Sequence, residues 1–178
     1  MGRITKVLRL PWTQKGLLVE SLILLAVARA AVLLLPFRWV VRVLGTQQAP
    51  STAQPAELGD SDAGDEIMRE GNIQRDLEAY RASQQATHVR QIGAMVSRIA
   101  RHVPWTSKCL DQAIAAKIML ARRGIPGTVY FGVRNGDEGE FKAHAWLRSG
   151  NVVATGGRGH RQYIVINSFG ENGEYNGK

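Results

Sequence analysis

Apolar residues run almost unbroken through "LLVESLILLAVARAAVLLL", residues 17–35, and this is the strongest pattern in the chain. It predicts a helix up to Leu35, broken by Pro36, and a second short helix that Gly45 terminates. A helix apolar on nearly every face must be buried against something. Leu22, Leu25, Val32 and Leu35 are therefore expected to pack on the rest of the protein or on a partner protein. A membrane surface, reached with the help of the flanking Arg and Lys residues, is the other outlet. Glu20 and Arg29 cut the run below the roughly 20 apolar residues that a bilayer span needs. The small-residue cleavage site of a signal peptide is also missing before Pro36.

The pattern then changes character. "TQQAPSTAQPAELGDSDAGDE", residues 46–66, is rich in Pro, Ala, Gly, Ser and Asp and reads as a mobile linker. A polar helix is expected from Glu66 to about Ser83. Next, Val89, Ile92, Val96 and Ile99 recur at helical spacing, and Pro104 disfavours helix at Val103. A further helix should start with Ser107 as its N-cap and run to Arg123, with Leu110, Ile114, Ile118 and Ala121 as its buried stripe. Gly124 and Pro126 close it. The strand-like runs "TVYFGV", "EFKAHAWL", "NVVAT" and "YIVINSF" follow, joined by the turn-rich "RNGDEGE" and "RSGN". Helices first and an antiparallel sheet afterwards mean an α+β fold. Three regions result: an apolar N-terminal helical segment (1–45), an acidic linker with a polar helix (46–83), and a folded domain (84–178).

Composition narrows the function. Twenty-three Lys and Arg against fifteen Asp and Glu give a net charge of +8, which fits an acidic partner: nucleic acid, anionic lipid or an acidic peptide. Residues 1–45 carry seven basic residues against Glu20 alone, and eight of the acids lie within 57–78. No nucleic-acid module is present and aromatics do not alternate with basic residues, so nucleic acid is not the expected partner. One cysteine excludes an intramolecular disulfide and fits a reducing cytoplasm. It also excludes a thiolate zinc site. His88, His102, His144 and His160 lack ligand spacing, so neither a metal nor a bound cofactor is expected.

That cysteine, Cys109, stands where a polar loop becomes a helix. A lone cysteine is commonly a small buried hydrophobe. In the first helical turn, however, unpaired amides and the macrodipole stabilise a thiolate, and the same amides can receive the oxyanion of an attacked carbonyl. His144 has two readings as well. It could be a satisfied histidine on a sheet face, or a base. Alternation puts Phe141, Ala143, Ala145 and Leu147 on one face of its strand and Lys142, His144 and Trp146 on the other. A neutral imidazole within reach of Cys109 would take its proton and leave the ion pair as nucleophile. Hydrogen-bonding reach between the two is the expectation that follows.

"CLDQAIAAKIMLARRGIPGTVYFGV" followed by "AHAWL" resembles the lasso-peptide B proteins, specifically the stand-alone B2 leader peptidase of split systems. These are members of the transglutaminase-like, papain-like cysteine protease superfamily. The Cys–Leu–x–x–Ala start, the Leu–x–Arg–Arg–Gly–Ile–Pro helix end, the Gly–Val strand and Ala–His–Ala–Trp carry the resemblance, and "LLLPFRWV" looks like that family's N-terminal region. It covers roughly residues 16–45 and 88–170. The resemblance implies a catalytic helix packed on a small antiparallel sheet and a cytoplasmic, or membrane-associated, protease. Its partners would be the precursor peptide, a leader-binding B1 protein and an asparagine-synthetase-like cyclase, which uses ATP that this chain does not bind.

By the same carry-over Cys109 is the nucleophile and His144 the base. The family pattern expects an Asp about twelve residues after the His, where this chain has Gly156. If "SGN" closes a hairpin, His144 lies opposite residues 155–157, and Thr155 alone among them has a side chain able to hold the imidazole. Thr155 is the expected third residue, with a backbone carbonyl or water as its substitute. Three rival readings stay open: a thiol acyltransferase of the same fold, a non-catalytic leader-binding module, and a membrane-surface protein.

Overall fold

The computed structural model describes residues 12–36, 38–39, 44–48, 65–136 and 139–170. The apolar run forms helix α1 (Trp12–Leu34) and stops before Pro36, which cannot continue the backbone ladder. The short helix expected between Pro36 and Gly45 lies largely outside the described residues, as does the linker beyond Gln48. The start of that linker is ordered: Thr46–Gln48 form strand β1.

Helix α2 (Asp65–Ala100) is continuous for 36 residues, where the sequence suggested two helices. Gln84, Gln85 and Ala86 are good helix formers, so nothing stops it between the halves. The Thr87 hydroxyl donates to the Ser83 carbonyl at 2.9 Å, satisfying itself within the helix. Residues 74–84 are exposed, while Val89, Ile92, Val96 and Ile99 are buried as their spacing requires.

Helix α3 (Cys109–Ala121) is followed by β2 (Thr128–Asn135), β3 (Phe141–Ser149), β4 (Val152–Thr155) and β5 (Ile164–Gly170). The strands pair antiparallel throughout, in the order β1-β5-β2-β3-β4. The α+β expectation therefore holds, with one strand more than the sequence suggested. Helices cover one face: Leu25, Ile92, Val96, Met119 and Leu120 meet Val129, Leu147 and Phe169 in one core. Helix α2 approaches β4 closely enough that a Cβ on Gly93 would lie 2.0 Å from the Ala154 carbonyl oxygen, so only glycine fits. The stripe of α3 differs from expectation. Ala113, Ile114, Ala116, Met119 and Leu120 are buried, but Ala121 is exposed and Leu110 and Ile118 only half-buried. The helix is surrounded by α1, α2 and the sheet, so burial follows small residues on several sides, not one stripe.

The expected burial of α1 is only partly realised. Ser21, Leu25 and Ala28 are buried, at helical spacing. Leu22 and Leu35, both expected to pack, are 41% and 48% exposed, and Val19, Ile23, Val27, Leu33 and Leu34 are exposed with them. Lys15–Leu34 is long and apolar enough to cross a membrane by length and composition, despite Glu20 and Arg29, and only 17% of it is buried. A core helix of a soluble protein passes the same test.

The two charges inside the run both turn to α3. Glu20 accepts a bidentate pair from Arg123, at 2.6 and 3.2 Å, and lies 3.4 Å from Arg122. Arg29 reaches Asp111 at 3.6 Å. One pair sits at each end of α3, so they lock α1 antiparallel along it. The Arg123 hydrogen bond holds the Glu20 carboxyl below its ordinary value; burial opposes this, and the charges of Arg123 and Arg122 add to it. A depressed folded value means that the stabilisation is complete above the unfolded carboxyl range and is lost as pH falls through the folded value. Glu20→Gln should therefore lower stability at pH 7 by about 1 kcal/mol. Thermal unfolding should show the gap narrowing on acidification; a gap that grows instead would contradict the pairing.

Candidate active site

Cys109 is the first residue of α3, half-exposed and outside the core. The helix is capped by Lys108, one residue later than the expected Ser107. Lysine offers no acceptor, so capping falls to Asp111, whose Oδ2 accepts the Lys108 amide at 3.0 Å. The first helical bond runs from the Gln112 amide to the Lys108 carbonyl, which leaves the amides of residues 109–111 ahead of the ladder. They give the thiol a positive surrounding and could receive an oxyanion. Asp111 is fully buried, with Arg29 as its cation. Neither was singled out from sequence as part of the site. The available signals were an acid three positions past the cap and the single cation of an apolar run.

His144 lies on β3 with Trp146, on the sheet face away from the helices. Its ring sits 5.0 Å from that of Tyr163 and 6.0 Å from that of Trp146. Its Nε2 is 2.7 Å from the Gly156 carbonyl oxygen. A carbonyl can only accept, so Nε2 carries the hydrogen and Nδ1 of the neutral ring holds the lone pair. Nδ1 has no hydrogen bond among the described residues. An imidazole fixed at one nitrogen with a basic second nitrogen can take a proton from a thiol.

The third position departs from expectation. Thr155 is 2% exposed, and its buried Oγ1 has no hydrogen-bond partner. It does not hold the imidazole; the Gly156 backbone does, the substitute the sequence had allowed. The hairpin turns at Gly150–Asn151, and its pairing shifts between Arg148 and Leu147, so that Thr155 opposes Leu147. The chain then leaves the ladder at Gly156, with φ +69. A Cβ there would lie 2.5 Å from the Ala145 carbonyl oxygen and 2.9 Å from the Trp146 backbone. An Asp at this position therefore meets both steric overlap and left-handed strain. Gly156→Asp should cost about 2–4 kcal/mol and lower activity instead of restoring a triad. Gly156→Ala, tested by thermal unfolding, should share most of the loss, which separates backbone cost from charge.

Leu120, near the end of α3, and Leu147, late in β3, both border Gly127. The expected hydrogen bond between Cys109 and His144 is not formed in this structure. Strand alternation turns His144 to the aromatic face, while α3 packs on the face of Leu147.

A family model for the transglutaminase-like superfamily matches residues 31–168, more than half of the chain. That span takes in the end of α1, all of α2 and α3, β1 to β4 and most of β5, and it fits a papain-like core. No curated protein matches the chain. No solved structure matches it either.

Proposed function

Because this chain belongs to the transglutaminase-like superfamily, which includes cysteine proteases and acyltransferases, we propose that it is a cysteine peptidase. It removes the leader from a ribosomally made lasso-peptide precursor. The observation that carries this reading is the hydrogen bond from His144 Nε2 to Gly156, which leaves Nδ1 as a base. His144 takes the Cys109 proton, and the thiolate attacks the peptide carbonyl. Amides of the first α3 turn receive the oxyanion. The C–N bond breaks as His144 returns the proton to the leaving amine, and water then releases the acyl group from sulfur. The transfer requires Cys109 and His144 to come closer than they lie in this structure, where they form no hydrogen bond. A backbone carbonyl supports the imidazolium less than a carboxylate would, so cleavage should be slow without partners.

In this reading a leader-binding B1 protein delivers the precursor to the exposed side of α1, and an ATP-using cyclase takes the product. The single cysteine fits the cytoplasm, where these steps occur. The test is mass analysis of a precursor incubated with the purified protein and the leader-binding protein. Two fragments that together gain one water support hydrolysis; a product joined to an added amine supports acyl transfer. The missing Cys109–His144 hydrogen bond favours a second reading, a non-catalytic leader-binding module. Intact processing by Cys109→Ala would establish that one.

A further inference from the structure

A cleft of about 400 Å³ opens on the sheet face away from the helices. Its floor is aromatic. Tyr130 stacks on Trp146 with centroids 5.7 Å apart and planes at 11°, and His160 lies 5.8 Å from the same indole. Trp146 is only 5% exposed, so the floor is held rigidly. Tyr163, also in the lining, has its ring centroid 5.0 Å from that of His144.

The charge around this floor has one sign. Arg148 and Arg161 line the cleft, and no acidic residue does so among the described residues. Arg148 spends its Nε on the Gly150 carbonyl at 2.8 Å, which aligns the guanidinium and leaves both Nη groups for an incoming acceptor. Arg134 stands over the Tyr163 ring at 5.4 Å. A carboxylate gains more from such cations beside an apolar floor than it would in open water.

We propose that this cleft binds an acidic segment of the substrate peptide and selects side-chain carboxylates next to an aromatic or other planar side chain. The proposal rests on the peptidase reading in that the bound peptide is taken as the substrate. The volume suits about two or three residues of extended peptide, with the planar group against the half-buried Tyr130 and the carboxylates on Arg148 and Arg161. A nucleic-acid strand is the less favoured occupant. It needs a cation at each successive phosphate, and two lining arginines do not supply that row.

The experiment uses full-length protein carrying Cys109→Ala, so that binding is read without cleavage. Calorimetry would compare the blocked peptide Gly-Asp-Phe-Asp-Gly with its Gly-Asn-Phe-Asn-Gly counterpart and with an oligothymidylate. The Asp peptide should bind about tenfold more tightly than the Asn peptide, and added salt should reduce the difference. The double variant Arg148→Glu/Arg161→Glu, changed only at exposed positions, should remove the preference, while Arg81→Glu on α2 leaves it intact. Equal binding of the two peptides, no binding of either, a preference that survives the double variant, or tighter binding of the oligonucleotide would each overturn the proposal. Its failure is separable from that of the peptidase reading. A wild-type protein that cleaves without the preference loses only the cleft, and one that shows the preference without cleaving loses only the peptidase.

Discussion

Cys109→Ala and His144→Ala are each expected to abolish leader removal, by a factor of about 10³ or more, while Thr155→Val leaves it nearly unchanged. Without the thiol no acyl-enzyme forms. Without the imidazole no base takes the thiol proton, and the leaving amine has no acid. The contrast with Thr155 is what makes the test specific. Its hydroxyl is buried without a partner, so exchanging it for a methyl of the same shape removes an unsatisfied group and should be neutral or slightly stabilising. Both alanine variants should retain the wild-type melting transition, since Cys109 and His144 are half-exposed. Cleavage rates by mass spectrometry decide the matter. A Thr155→Val protein that folds but has lost activity would return the third position to the threonine.

Deletion of residues 1–45 is expected to leave no soluble folded protein. The lost segment contributes Leu25, Ala28 and Leu44 to the core, at 0%, 1% and 0% exposure. A buried leucine alone is worth about 2 kcal/mol in area removed from water, and the deletion also opens the side of α3 that α1 covers. It removes Arg29 too, leaving Asp111 as a buried charge without its cation, a loss of about 3–5 kcal/mol when one partner of such a pair is taken away. Together these approach the whole stability of a typical domain. Circular dichroism and size-exclusion chromatography of the truncated chain provide the check. A soluble truncated protein with a cooperative transition would show that α1 is an appendage.

Much of the fold was legible because it depends on local periodicity. The strands after Gly127 appear within a residue or two of their expected bounds, since alternation and turn residues act over short distances. Val89, Ile92, Val96 and Ile99 are buried because their spacing leaves one helical face to bury. The long α2 was less legible. A polar stretch carries no mark that two expected helices are one.

The candidate site divides along the same line. By itself the sequence determined that a lone thiol opens a helix, that a histidine follows on a strand beside a tryptophan, and that a glycine stands where the family pattern has a carboxylate. Each is a statement about neighbours along the chain. Only the tertiary structure decided that Gly156 holds His144 through its backbone, because a carbonyl carries no side-chain signature and its direction comes from a positive φ after a shifted strand pairing. It alone showed that Glu20 and Arg29, which read as interruptions of an apolar run, clamp α1 to the two ends of α3. The partners of those charges lie more than 80 residues away, and a contact over that distance leaves no periodic trace in the chain.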